Sequence, residues 1–154
     1  MPYLIVIVSI LVLDRITKWY ISASMIEGES IDVINGFFGI TYVKNDGIAF
    51  GMLGGKISIL IILTGLLLIA LLVFLIKKRT DLHPFAAYGI AGIIGGGAGN
   101  IIDRIFSGYV VDFLDFKIWP PVFNVADIFV CVGCGMVIVY LLFMSSEEDE
   151  KSDI

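Results

Sequence analysis

The sequence predicts an all-α polytopic membrane protein, four transmembrane helices with a small β element on one membrane surface. Three observations predict it. Of 154 residues, 58% are hydrophobic, above the roughly 45–50% of a soluble domain, and the mean hydropathy is +0.99. Residues 57–76, ISILIILTGLLLIALLVFLI, carry no charge, and about 20 apolar residues cross a hydrocarbon core of about 30 Å. Apolar runs of similar length recur on either side.

The first span covers about 3–22. It lacks the basic n-region of a signal peptide, and Asp14, Arg15 and Lys18 stand where a cleavage site would follow, so it reads as a retained helix. Next comes a β element over about 24–55, in which SIDVI (30–34) and FFGITYV (37–43) flank Asn35-Gly36, a pair that favours a two-residue hairpin. Span 2 is 57–76, span 3 about 85–105 and span 4 about 123–144. The acidic tail 145–154, SSEEDEKSDI, holds much of the negative charge behind the net −5 and reads as disordered. No repeat or linker divides the chain, so a single membrane domain is expected.

Counting sides brings the polar residues together. With four spans, Asp14 and Lys18, the stretch VKNDGIAFG (43–51), Asn100 and Asp103, Asp112, and FNVAD (123–127) all fall on one membrane face. The tight basic cluster Lys77, Lys78 and Arg79 lies on the other, and the positive-inside tendency places it in the cytoplasm. Six scattered cations, Arg15, Lys18, Lys44, Lys56, Arg104 and Lys117, oppose that orientation. An extracytoplasmic site is favoured, although charge alone leaves the side open.

Span 3 carries a stripe of Gly89, Gly92, Gly96, Gly99 and Asp103 at intervals of three and four, one helical face suited to close packing. GGGAGN is no dinucleotide fingerprint, since Asn100 stands at the third glycine and no βαβ unit surrounds it. In span 4, Asn124 suits an N-cap with Asp127 at the third helical position. Asn124, Asp127, Cys131 and Cys134 share a face, which turns Asp127 toward the bundle, where acids are costly and usually functional. The two cysteines read as small, buried packing residues. Asp103–Arg104 and Asp14–Lys18 suggest ion pairs. Spacing alone does not rank Asp112 above Asp103 or Asp115. His83 lies in the basic loop of the opposite face, which excludes a His-based triad or zinc site. No basic, aromatic-interleaved surface suggests nucleic acid.

The blocks DRITK (14–18), NDGIAFG (45–51), GGAGNIIDRIFSGYVVDF (96–113) and FNVAD (123–127) together resemble the lipoprotein signal peptidases, also called signal peptidase II. The resemblance implies an intramembrane aspartyl peptidase of the bacterial cytoplasmic membrane, four helices with a small extracytoplasmic β-cradle and both termini cytoplasmic. Its activity would be removal of signal peptides from diacylglyceryl-modified prolipoproteins, by cutting before the lipidated +1 cysteine. The catalytic dyad would be Asp112 and Asp127. Supporting positions would be Asp14, Lys18, Asn45, Gly99, Asn100, Asp103, Arg104, Asn124 and Ala126. Asp103 with Arg104 and Asn100 would brace the end of span 3, and Asn124 or Asn45 would orient substrate or stabilise an oxyanion. The implied partners are prolipoprotein substrates and membrane lipids, with no nucleic acid; no cofactor or metal is expected, and the chain is expected to be a monomer. Competing readings are a Mg²⁺-dependent lipid phosphotransferase using Asp103, Asp112 and Asp115, an ion-coupled transporter and a non-catalytic assembly factor.

Overall fold

In order, the elements are α1 (Pro2–Ser24), β1 (Ser30–Ile34), β2 (Phe38–Asn45), α2 (Ile57–Lys78), α3 (Pro84–Ser107), β3 (Val110–Phe116), β4 (Val122–Phe123) and α4 (Val125–Val139), the last continued by a π-helical turn, Tyr140–Met144. The computed structural model describes residues 2–47 and 57–144. The tail 145–154, Lys56 and most of the block NDGIAFG lie outside them. Three helices, Ser58–Lys78, Pro84–Ser107 and Val125–Met144, are long and apolar enough to cross a membrane by length and composition. The 23 residues of α1 match them in length, but Asp14, Arg15 and Lys18 interrupt its apolar run.

The class is mostly helical and not all-α. The strands form one antiparallel sheet of order β1-β2-β3-β4, in which segments far apart in sequence pair. Span 4 accordingly begins later than its hydropathy suggests: Phe123 belongs to β4, and Asn124 caps a helix that starts at Val125.

α3 is the centre of the bundle because its glycines admit three neighbours. A side chain at Gly92 would meet Phe129 O at 3.2 Å, and Gly89 and Gly96 face α4 as well. Gly95 faces Ile10 of α1 at 3.1 Å, and Gly97 faces Leu68 of α2 at 2.8 Å. The two overlapping G-x-x-x-G pairs therefore serve different partners, Gly92/Gly96 toward α4 and Gly95/Gly99 toward α1. On α1 the buried residues are Ile7, Ile10, Asp14, Lys18 and Ile21, a single helical stripe that carries two charges into the bundle. Ile7, Leu75, Ala87, Ile90, Ala91 and Ile94 form the apolar core at the other end.

The hairpin differs from the expected two-residue turn. Ile34 pairs with Phe38, leaving Asn35, Gly36 and Phe37 in the loop; Phe37 N donates to Ile34 O at 3.0 Å, and Gly36 supplies the positive φ of 69°. A register shift between Asp32 and Ile34 accommodates the extra residue. A second shift, between Ile40 and Val43 of β2 against Leu114 and Asp112 of β3, turns out to govern the site. Tyr42, the buried residue inside it, satisfies its backbone on the preceding loop, with Tyr42 N donating to Glu29 O at 3.0 Å and Gly28 N to Tyr42 O at 2.8 Å.

Candidate active site

β3 delivers Asp112. The chain leaves α3 through Gly108, whose left-handed φ of 78° caps the helix, its N–H reaching Arg104 O. Asp112 then lies on the inner face of the strand, 3% exposed. Asp115, an odd number of residues on, points to the other face, where Thr41 Oγ1 and Lys117 Nζ each approach its Oδ2 at 2.6 Å. Pleat parity separates two acids that spacing alone had left equal.

The bulge in β2 brings Asn45 to Asp112. Thr41 shares Asp115's face; without the extra residue between Ile40 and Val43, Asn45 would do so too. With it, Val43 pairs with Asp112, and Asn45 lies diagonally on the same face. Asn45 Nδ2 donates to Asp112 Oδ2 at 2.8 Å, while its Oδ1 accepts from Gly47 N at 3.0 Å and so fixes the amide's orientation.

α4 delivers Asp127 through its cap. Asn124 Oδ1 accepts from Asp127 N at 2.9 Å and Asp127 Oδ2 accepts from Asn124 N at 3.0 Å, a reciprocal capping box. The remaining donor, Asn124 Nδ2, reaches Asp112 Oδ1 at 2.7 Å and Asn100 Oδ1 at 3.2 Å. Asn124 is fully buried and bonded to both carboxylates. Asp127 thus closes the cap and also faces inward, onto the cavity.

Behind the acids lies a charged hub. Lys18 Nζ donates to Asp14 Oδ2 at 2.8 Å and to Asn100 Oδ1 at 2.9 Å, and forms an ion pair with Asp103 Oδ2 at 2.7 Å. Because an ammonium only donates, the Asn100 atom facing it is the oxygen, and Nδ2 is left for Asp127 Oδ1 at 2.8 Å. Asp14 Oδ1 accepts from Ala126 N at 3.0 Å, so an acid of the first helix occupies the N-terminus of the last. Gly99 and Ala126 must be small for this: a Cβ on Gly99 would lie 2.7 Å from Asp14 Oδ2 and 3.5 Å from Ala126 Cβ.

The expected Asp14–Lys18 pair is present. The expected Asp103–Arg104 ion pair is not. Asp103 binds α1 instead, through Lys18 and through Arg15 Nη2 at 2.9 Å, because successive residues on a helix diverge by about 100°. Arg104 turns to the backbone, donating to Asn100 O at 3.3 Å and Gly47 O at 2.7 Å, and ties the end of β2 to α3. Asn45 and Asn124 both direct their amides onto Asp112. The cysteines also differ from expectation. Cys131 and Cys134 are exposed, while Gly133 between them is the α4 residue that packs against Gly89 and Ile93. His83 caps α3 at the opposite end, its Nδ1 accepting from Phe85 N.

Both acids open onto one cavity of about 630 Å³, with Asn45, Asn100, Arg104, Asn124, Val130 and Cys131 among its walls. Burial pushes the Asp112 carboxyl up to about 6, the bonds from Asn45 and Asn124 work against the rise, and the charge of Asp127 adds to it. Burial acts upward on Asp115 too, but the Lys117 and Thr41 bonds outweigh it and hold that acid below its ordinary value. The trio needed for a Mg²⁺ site is split: Asp103 is bound to Lys18 and Arg15, and Asp115 lies across the sheet from Asp112. Among the described residues no three His, Cys, Asp or Glu side chains group as metal ligands. A cavity walled by two adjacent carboxylates, one of them raised toward neutrality, suits acid–base activation of water.

The comparisons agree with that chemistry. The family model for signal peptidase (SPase) II matches residues 6–143. The lipoprotein signal peptidase of Halothermothrix orenii is 44% identical over 141 residues, covering 92% of this chain and 94% of that protein. That of Clostridioides difficile is 39% identical over 148 residues, covering 96% and 99%. A bacterial membrane enzyme solved by the in meso method at 2.3 Å resolution matches with a TM-score of 0.87 at 36% identity, over 95% of this chain and 90% of its own. A second, at 1.9 Å, gives 0.83 at 35% identity, over 94% of each. The chain belongs to the signal peptidase II family, and is an aspartic peptidase of the multi-pass membrane type with lipoprotein signal peptidase activity.

Proposed function

We propose that Asp112 and Asp127 are the catalytic dyad, and that they remove signal peptides from diacylglyceryl-modified prolipoproteins by cutting before the lipidated +1 cysteine. The observation that carries this reading is Asn124, which bonds to both carboxylates at the wall of one cavity. Asp112 holds the shared proton, and Asp127 is ionised. Asp127 takes a proton from water as the water oxygen attacks the scissile carbonyl carbon. Asp112 gives its proton to the carbonyl oxygen. When the tetrahedral species collapses, Asp127 passes its proton to the leaving amine, and Asp112 recovers one from the diol. The burial of Asp112 supports its role as the acid.

Asp14, Lys18, Asn100, Asp103, Asn124, Ala126 and Gly99 hold the dyad in place, and Asn45 with Arg104 holds the edge of the sheet over it. α1 is the fourth span, with Asp14 and Lys18 buried on the face that packs against α3 and the half-exposed Arg15 paired to Asp103. The sheet then lies on the extracytoplasmic surface, the basic end of α2 with Arg79 and both termini are cytoplasmic, and the enzyme acts as a monomer without metal. The substrate's signal helix lies in lipid beside α4 with its cleavage bond at the surface layer.

The test is processing of a lipidated precursor and its unlipidated counterpart by the purified protein. Asp112→Asn and Asp127→Asn should each abolish cleavage of the lipidated form while the protein stays folded. Cleavage retained in either variant removes that residue from the dyad, and equal cleavage of both precursors removes the lipid requirement.

A further inference from the structure

At the end of the bundle remote from the dyad, α2 packs on α3 but leaves a groove toward α4. The groove has a volume of about 340 Å³ and an apolar lining that includes Leu71 and Phe74 of α2, Leu82 of the connecting loop, Ala86 and Ile90 of α3, and Val137 of α4. That volume falls at the lower end of the roughly 300–1,000 Å³ of ligand cavities. The groove opens sideways between helices that cross the membrane, so hydrocarbon is what reaches it.

Its rim is not apolar. Leu71, Phe74 and Lys78 follow the spacing of three and four, so Lys78 stands one turn above the groove on the same helical face. Lys77, Lys78 and Arg79 are all exposed, and one carboxylate, Asp81, contacts Lys78 at 3.4 Å. The loop turns back over the groove through Leu82, whose N–H donates to Lys78 O at 2.9 Å. Among the described residues, three cations against one acid leave an excess of positive charge at this end of α2, and such clusters attract anionic lipid.

We propose that this groove is a binding site for one anionic phospholipid, an acyl chain lying along Leu71, Phe74 and Ile90 with the phosphate held by Lys77, Lys78 and Arg79. Apolar shape and charged rim select together. A neutral lipid would fill the groove without using the rim, and an anion without a chain would lack the groove. The site is separate from the peptidase centre and does not depend on which residues perform the cleavage.

The experiment reconstitutes the full chain in phosphatidylcholine nanodiscs that contain a minor fraction of photoactivatable lipid, either phosphatidylglycerol or phosphatidylcholine, with the reactive group midway along the chain. Adducts are mapped by mass spectrometry. Phosphatidylglycerol should label Leu71, Phe74 and Ile90 several-fold more than phosphatidylcholine does. Combining Lys77→Gln, Lys78→Gln and Arg79→Gln should bring the two lipids to equal yield. Phe74→Trp, which narrows the groove, should lower adducts at Leu71 and Ile90 for both. Equal labelling by the two lipids in the unaltered chain overturns the headgroup site. Adducts as frequent at the outward-facing Leu66 and Ile69 as in the groove overturn the groove itself.

Discussion

Lys18 and Asn100, 82 residues apart in sequence, meet at 2.9 Å inside the bundle. The contact sets which way the Asn100 amide points, and the amide in turn donates to Asp127 at 2.8 Å. Lys18→Met should therefore act twice. It leaves Asp14 and Asp103 as buried carboxylates without their ammonium, a loss of about 3–5 kcal/mol, visible as a large fall in the thermal midpoint of the protein in micelles. In whatever fraction stays folded, the Asn100 amide is free to flip, and kcat should fall more than KM rises.

Asp112→Asn and Asp127→Asn should each reduce kcat/KM by about 10²–10⁴-fold or more, the range of a lost general acid or base. Asp115→Asn should cost only a few-fold, because that side chain bonds to Thr41 and Lys117 on the far face of the sheet. Processing assays on the three variants decide it; comparable loss at Asp115 would place it in the site.

The raised Asp112 carboxyl has consequences for pH. Its folded pKa of about 6 exceeds the ordinary 3.8, so the folded chain binds this proton more tightly than the unfolded one. The stabilisation is complete below about 3.8 and is lost as pH rises through about 6, a change on the order of 2–3 kcal/mol. Unfolding midpoints across that window should show this slope, and Asp112→Asn should lack it. Asn45 opposes the rise through its bond to Asp112. Asn45→Ala should shift the limb of the kcat/KM profile where the acid deprotonates to higher pH.

Glycines on α3 should divide by neighbour. Gly99→Ala puts a methyl against the Asp14 carboxylate, and Gly97→Ala puts one against the Leu68 side chain. The first should cost about 1–3 kcal/mol and reduce activity, because Asp14 holds Ala126 N. The second should be milder, since Leu68 is a flexible side chain. Gly65→Ala meets nothing within 4 Å and should be neutral or stabilise by up to about 1 kcal/mol. Denaturation of the three variants tests the order.

Chelation should leave cleavage unchanged. Asp112 and Asp127 are bonded to asparagine amides and to a backbone N–H, donors that hold a carboxylate without a cation. Assays with and without EDTA check this; loss restored by Mg²⁺ would revive the metal reading.

Much of this was legible in the sequence. Hydropathy located α2 and α3, and counting sides placed Asp14, Lys18, Asn100, Asp112, Asn124 and Asp127 on one face, where hydrogen bonds now join them. The capping box at Asn124 followed from residue type and spacing. What remained hidden depended on non-local pairing. The bulge at Tyr42 is stabilised by backbone bonds to Gly28 and Glu29, which no local pattern announces, yet it decides that Asn45 reaches Asp112. Asp103 binds α1 and not its neighbour Arg104, and that needs the helix packing. Cys131 and Cys134 looked buried because the stretch is apolar, but in a membrane helix apolar residues also face outward.

The bond from Asp14 to Ala126 joins α1 to α4, so it closes only after both have been made. A nascent chain still on the ribosome has Asp14 and Lys18 inserted long before the segment carrying Asn124 and Asp127 emerges. A product that stops short of Asp127 has neither the cap nor the second acid of the proposed dyad, so on that reading hydrolysis waits until the start of α4 has been made.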